Sequence, residues 1–139
     1  MRDPDPTPTC VSRVPIFANL PPDEQLLVAE LTHPVQLSAG EKVHAPTDAD
    51  TRLSIVHSGR VKVFRYKSDG AEQILRVLRP GDFVGESSVV TGRPPTTWAT
   101  AVDNETRLCT FLGSDLRKLI SQRPQIGIRM MATLAGRLE

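Results

Sequence analysis

Between Val35 and Phe111 the chain reads as a series of short strands broken by turns, and that punctuation most narrows its choice of fold. The segments are Gln36-Leu37, Lys42-Val43, Leu53 to His57, Val61 to Tyr66, Gln73 to Leu78, Thr97 to Val102 and Arg107 to Phe111. Asp69-Gly70 divides two of them as a strong hairpin signal and Ser58-Gly59 divides two others as a weaker one, because glycine supplies the positive φ that tight hairpins need. Many short strands with closely spaced turns build a sandwich or a jelly-roll-like barrel. The expected fold class is therefore mainly β with flanking helices.

Helical signals flank this region. Pro21-Pro22-Asp23-Glu24 sets a rigid start with acidic residues in the first turn, and Leu27 and Leu31 recur on one face, which predicts a helix from about Pro22 to Thr32 that stops before Pro34. Beyond Gly113, Ser114-Asp115 caps a helix carrying Leu116, Leu119 and Ile120, which ends at Arg123-Pro124. A last helix starts at Pro124, where Met131, Leu134 and Leu138 follow heptad spacing, with Gly127 and Ile128 one turn earlier. Residues 1–9 hold three prolines and no apolar periodicity and are expected to be a flexible tail.

The 139 residues, 39% of them hydrophobic, suffice for one domain with one modest core. Seventeen basic and sixteen acidic residues leave a net charge of +1, which excludes a fragment that grips nucleic acid by its own charge. No apolar run approaches the roughly 18 residues of a membrane span, and Met1 to Pro6 lacks the apolar core of a signal peptide. A cytoplasmic location with no membrane partner is expected, and two cysteines are too few for a secreted disulfide scaffold.

The stretch from Leu78 to Ala101 carries the most chemistry: a Pro80-Gly81-Asp82 corner, then Phe83-Val84-Gly85-Glu86, then Gly92-Arg93-Pro94-Pro95-Thr96-Thr97-Trp98-Ala99. Gly81 and Gly85 permit sharp reversals, and Gly85, having no Cβ, lets a small ligand approach the main chain. Glu86 to Val90 reads as one helical turn whose free N–H groups favour an anion. This stretch resembles the phosphate-binding cassette of cyclic-nucleotide-binding domains, specifically the sensor domain of the CRP/FNR family of bacterial transcription regulators. Leu53 to Val63, with its Ser58-Gly59 turn, is similar to the family's strand–Ser-Gly–strand unit, and Arg79 to Glu86 to the segment that leads into its ligand site.

The resemblance implies a double-stranded β-helix over residues 10–123, with Gly85, Glu86, Ser87, Ser88, Arg93, Pro95, Thr96 and Thr97 as the ligand-binding cassette. It implies that residues 124–139 begin a dimerisation helix, so that Met131, Leu134 and Leu138 would pair two copies as a homodimer. Contact with DNA would run only through a helix-turn-helix domain that these residues do not contain, with RNA polymerase as a further partner of a full-length protein. One departure bears on the ligand. In cyclic-nucleotide binders of the family a cassette arginine pairs with the cyclic phosphate, the next Ser or Thr donates to it, and the Gly-Glu glutamate holds the ribose. Counted back from Trp98 and Ala99, the arginine position falls on Pro95 and the Ser/Thr position on Thr96. Proline has neither charge nor N–H, and Arg93 stands two residues away before a rigid Pro94-Pro95 pair. The expectation is a cyclic-nucleotide fold that has lost cyclic-nucleotide binding, with Glu86 retained as a structural acceptor of backbone N–H groups.

Cys10 and Cys109 are the redox candidates. Cys109 shares strand parity with Phe111, which suits a small buried hydrophobe. FNR-type members are similar over Val102 to Phe111, where a cysteine at the Cys109 position ligates an iron–sulfur cluster together with an N-terminal cysteine cluster. Such a cluster needs four thiolates, so two cysteines exclude a complete one within a single chain and leave a Cys10–Cys109 dithiol pair or a cluster shared between chains. His33, His44 and His57 are scattered with no carboxylate at metal spacing, which argues against a metal site and a cupin-type enzyme. Trp98 is expected to fill the barrel, and Arg60, Lys62, Arg65 and Lys67 to decorate a solvated face. The function expected is that of a cofactor-free, effector-sensing and dimerising domain of a transcription regulator; the alternative is a stand-alone small-ligand-binding module without DNA-binding activity.

Overall fold

The computed structural model describes residues 15–137; the expected tail, Cys10 and Leu138 lie outside the described residues. Helices α1 (Pro15–Ala18) and α2 (Pro22–Ala29) precede strands β1 (His33–Leu37), β2 (Lys42–His44), β3 (Arg52–Ser58), β4 (Val61–Tyr66), β5 (Glu72–Leu78) and β6 (Phe83–Val84). Helix α3 (Glu86–Thr91) comes next, then β7 (Trp98–Ala101), β8 (Thr106–Leu112), α4 (Gly113–Gln122) and α5 (Pro124–Arg137). The strands form two antiparallel sheets, β1-β8-β3-β6 and β2-β7-β4-β5, which is the two-sheet jelly-roll core with flanking helices that the turn pattern predicts.

The first sheet is covered on both faces, and strand parity sorts its residues between two cores. Leu53, Ile55, Phe83, Cys109 and Phe111 face the helices, where they meet Phe17, Val28, Leu116 and Ile126. Their strand neighbours Val56, Val84 and Leu108 face the second sheet and pack on Val61, Val63, Leu78 and Ala99. The registers agree: Leu53 lies opposite Phe111, Ile55 opposite both Cys109 and Phe83, and Val56 opposite Leu108. The Asp69-Gly70 hairpin forms as expected, with Lys67 N donating to Ala71 O at 2.8 Å and Ala71 N to Asp69 Oδ1 at 2.9 Å.

Several boundaries differ from the sequence reading. Helix α2 ends at Ala29 rather than Thr32, because its last turn tightens into three-residue bonds from Leu31 N to Val28 O and from Thr32 N to Ala29 O. Pro34 lies inside β1, an edge strand of its sheet, where its missing N–H is tolerated. Helix α1 carries no sequence signal; the Phe17 ring meets Phe111 edge-on at 5.4 Å, and Gln25 Nε2 donates to the carbonyls of Ala18 and Leu20. Trp98 does not fill the barrel. Its neighbour Ala99 takes the inward position opposite Val63, so Trp98 points outward with Phe64 and Tyr66, forming ring contacts of 6.4 and 4.8 Å. The basic face is partly paired: Lys62 Nζ reaches Glu72 Oε1 at 2.6 Å and Arg60 reaches Asp103 at 2.8 Å.

Phe111 joins the first sheet to α1 at a fully buried position. Phe111→Ala should cost about 3–5 kcal/mol in urea unfolding; a loss below about 1 kcal/mol would mean that the helix layer does not pack on this sheet.

Candidate functional site

At the turn from β6 into α3, Gly85 adopts φ +101°, and a Cβ there would run into the carbonyl oxygen of Arg52. Only glycine fits a left-handed position pressed this closely against another backbone. Helix α3 follows at once: Val89 N donates to Gly85 O at 3.1 Å, and Gly92 N to Ser88 O at 2.8 Å closes its far end. Thr91 then ties the outgoing loop, its hydroxyl donating to Ser87 O at 2.9 Å and accepting from Arg93 N at 3.2 Å.

This turn, helix and loop form one wall of a cleft of about 460 Å³. The eight cassette residues Gly85, Glu86, Ser87, Ser88, Arg93, Pro95, Thr96 and Thr97 all line it. The sequence reading did not count the other contributors among the ligand-site residues: His44 from β2, Val63 from β4, Leu75 and Arg76 from β5, and Val84, Thr91 and Pro94. His44 and Arg76 lie far from the cassette in the chain, and strand pairing alone brings them there. No motif announces either.

Glu86 is half-buried, and its carboxylate has no hydrogen-bond partner among the described residues. This corrects the expectation that it accepts backbone N–H groups: Gly85 turns the chain so that the side chain faces open space. Arg76 Nη2 donates to Phe83 O at 3.1 Å. His44 is 8% exposed, with Nε2 3.2 Å from Thr97 Oγ1. Burial lowers its pKa, opposed by the charge of Asp48. Burial raises the Asp48 carboxyl in turn, but its bonds from Lys42 Nζ at 2.6 Å and Ala45 N at 2.9 Å outweigh this and hold it below the usual value.

Helix α3 also faces a second, apolar groove of about 470 Å³, which Val89 and Val90 line together with Ile120, Ile128 and Met131. Glu86 borders both spaces. Arg117 Nη1 ties α4 to α3 by donating to Val89 O at 2.9 Å. On α5, Ile126 and Met130 pack inward while Ile128 and Met131 stay about 60% exposed. Met131 therefore presents the expected seam to solvent; the Leu134 side chain and Leu138 lie outside the described residues. Gln125 Nε2 donates to buried Glu24 at 2.8 Å and helps seat the start of α5. Cys109 is 6% exposed on the helix-side core and disulfide-bonded; Cys10, the only other cysteine of the sequence, lies outside the described residues. Among the described residues no three His, Cys, Asp or Glu side chains group at metal distance, and no helix is long and apolar enough to cross a membrane.

His44 sets a pH dependence. With its folded pKa below the ordinary 6.5, the unfolded chain binds more protons in the interval between the two values, so stability falls as pH drops below about 6.5. Thermal unfolding followed from pH 7.5 to 5 should show this loss, and His44→Gln should flatten it; an unchanged slope in the variant would assign the effect elsewhere.

The profile of the cyclic nucleotide-binding domain matches residues 34–123. The CRP-like cAMP-activated global transcriptional regulator of Mycobacterium tuberculosis is 33% identical over 92% of this chain and 57% of its own length. Among solved structures, the N-terminal domain of a transcriptional regulator from Streptomyces coelicolor A3(2) superposes with a TM-score of 0.78 at 29% identity, covering 93% of this chain and 90% of that one. The catabolite activator protein of Thermus thermophilus superposes at 0.76 with 31% identity over 89% of this chain and 58% of that one. The chain spans less than two thirds of the length of the regulators it matches.

Proposed function

Because the chain belongs to the cyclic nucleotide-binding domain family, with a sensor domain of the CRP/FNR type, we propose that it is the effector-sensing and dimerising domain of a transcription regulator whose effector is not a cyclic nucleotide. One observation carries the ligand reading. Pro95 stands on the cleft wall at the position where the resemblance puts the phosphate-binding arginine, while the rest of the cassette lines the same cleft. A cyclic phosphate brought there meets a ring without charge or donor.

Helix α3 supports the regulatory half of the reading. Its Ser87, Ser88 and Thr91 side borders the cleft, and its Val89 and Val90 side borders the groove that α5 completes. A ligand that prefers one position of α3 changes the packing offered to α5, and so biases the arrangement of a paired helix. The homodimer forms through α5 and its continuation, DNA is contacted by a part of the protein beyond this domain, and RNA polymerase is a further partner of that whole regulator in the cytoplasm. The relatives reported above are regulators, which supports a non-enzymatic role.

Calorimetry should detect no micromolar binding of cyclic AMP or cyclic GMP, and Pro95→Arg should strengthen binding of at least one by about tenfold or more, as a charge-assisted pair restored to the cleft would. Micromolar binding by the unmodified protein would overturn the ligand reading. For the dimer, sedimentation should show concentration-dependent association that Met131→Asp weakens; a monomer at high concentration would assign the exposed Met131 face to another contact.

A further inference from the structure

Strand β5 contains one residue too many. Val63 pairs with Arg76 and Phe64 with Ile74, which leaves Leu75 without a counterpart. Two residues beyond Ile74, regular alternation would put Arg76 on the outer face, where Ile74 lies opposite outward-pointing Phe64. The bulge reverses that parity and sets Arg76 opposite inward-pointing Val63, on the cleft.

The residue so turned is poised to bind. One arm of the Arg76 guanidinium is fixed on Phe83 O, and Arg76 makes no ion pair with Glu86 or any other described side chain. Arg93 also borders the cleft without an ion pair, so the lining carries two arginines against one carboxylate. Val63 pairs with Ala99 on its other side, so Arg76 sits two strand spacings, about 10 Å, from Ala99 on β7. Arg76 thus adds positive charge on the β5 side of the cleft. Taking the cleft as the effector site, as read above, we propose that Arg76 is its anion-binding residue and that the effector is a small organic anion bearing hydroxyl groups, with its charged end at the β5 wall and a hydroxyl donating to Glu86.

The test is an NMR titration of the isotope-labelled protein with ribose 5-phosphate, a compact probe of this class, against ribose as the uncharged control. Ribose 5-phosphate should shift the Gly85 amide and the Arg76 Nε–H signal saturably, with ribose about tenfold weaker or worse. Arg76→Gln should weaken ribose 5-phosphate by about tenfold, Arg76→Lys by less, and Arg93→Gln by under about twofold. The Arg76 signal of the unmodified protein reports even where a variant folds poorly. Equal binding by a well-folded Arg76→Gln protein, equal binding of ribose, or no shift at the cleft at tens of millimolar would each overturn the proposal. Phosphate-dependent shifts at the cleft that ignore Arg76 would remove this residue and leave the effector-site reading intact, whereas micromolar cyclic AMP binding would on its own overturn the reading that the effector is not a cyclic nucleotide.

Discussion

The first sheet is buried from both sides, and the rest of the molecule is arranged around that fact. A strand covered on one face can alternate apolar and polar residues; β3 and β8, covered on both, place successive side chains in two different cores. Leu53 and Ile55 hold the helices while Val56, between them in the chain and His57, holds the second sheet. A slip of one residue in the β3–β8 register would exchange the two sets and mismatch both cores at once. The same sheet reaches both spaces, through Val84 in the cleft and Leu53 in the helix groove.

Helix α3 is the only element described that faces both the cleft and the groove, and it enters through a backbone position open only to glycine. Because Gly85 presses on the Arg52 carbonyl, the N-terminal end of α3 is fixed against β3. Its far end is held by softer means: the Thr91 hydroxyl, the Gly92 turn and the Arg117 side chain reaching Val89 O. A ligand contacting Ser87, Ser88 or Thr91 would act on a helix anchored at one end, whose Val90 lines the same groove as Ile128 and Met131 of α5.

Much of this was legible in the residues. Turn signals and short alternating segments located the strands and the Asp69-Gly70 hairpin, and the Gly-Glu segment located a cassette whose members do converge on one cleft. What stayed hidden depends on partners distant in sequence. Helix α1 is four residues long, too short to show periodicity, and burial of Ile16 and Phe17 in the helix-side core holds it. Trp98 reads as core by composition, and only the pairing of Ala99 with Val63 turns it outward. Glu86 reads as a self-satisfied carboxylate, and its true orientation follows from the φ of the residue before it. Arg76 was beyond reach for the plainest reason: a bulge is an error of counting between two strands, and neither strand alone shows it.

That bulge also bears on how the protein avoids its own kind. Strand β5 is an open edge and presents Ile74, Leu75 and Val77 to solvent. A flat apolar edge of this sort is a template on which other chains add strands. The extra residue breaks the even spacing of free N–H and C=O groups and bends the strand just where its apolar side chains are densest. A shortened version of this hairpin, regular in register and lacking one residue near Leu75, would look tidier by the rules of strand pairing and would be the stickier protein.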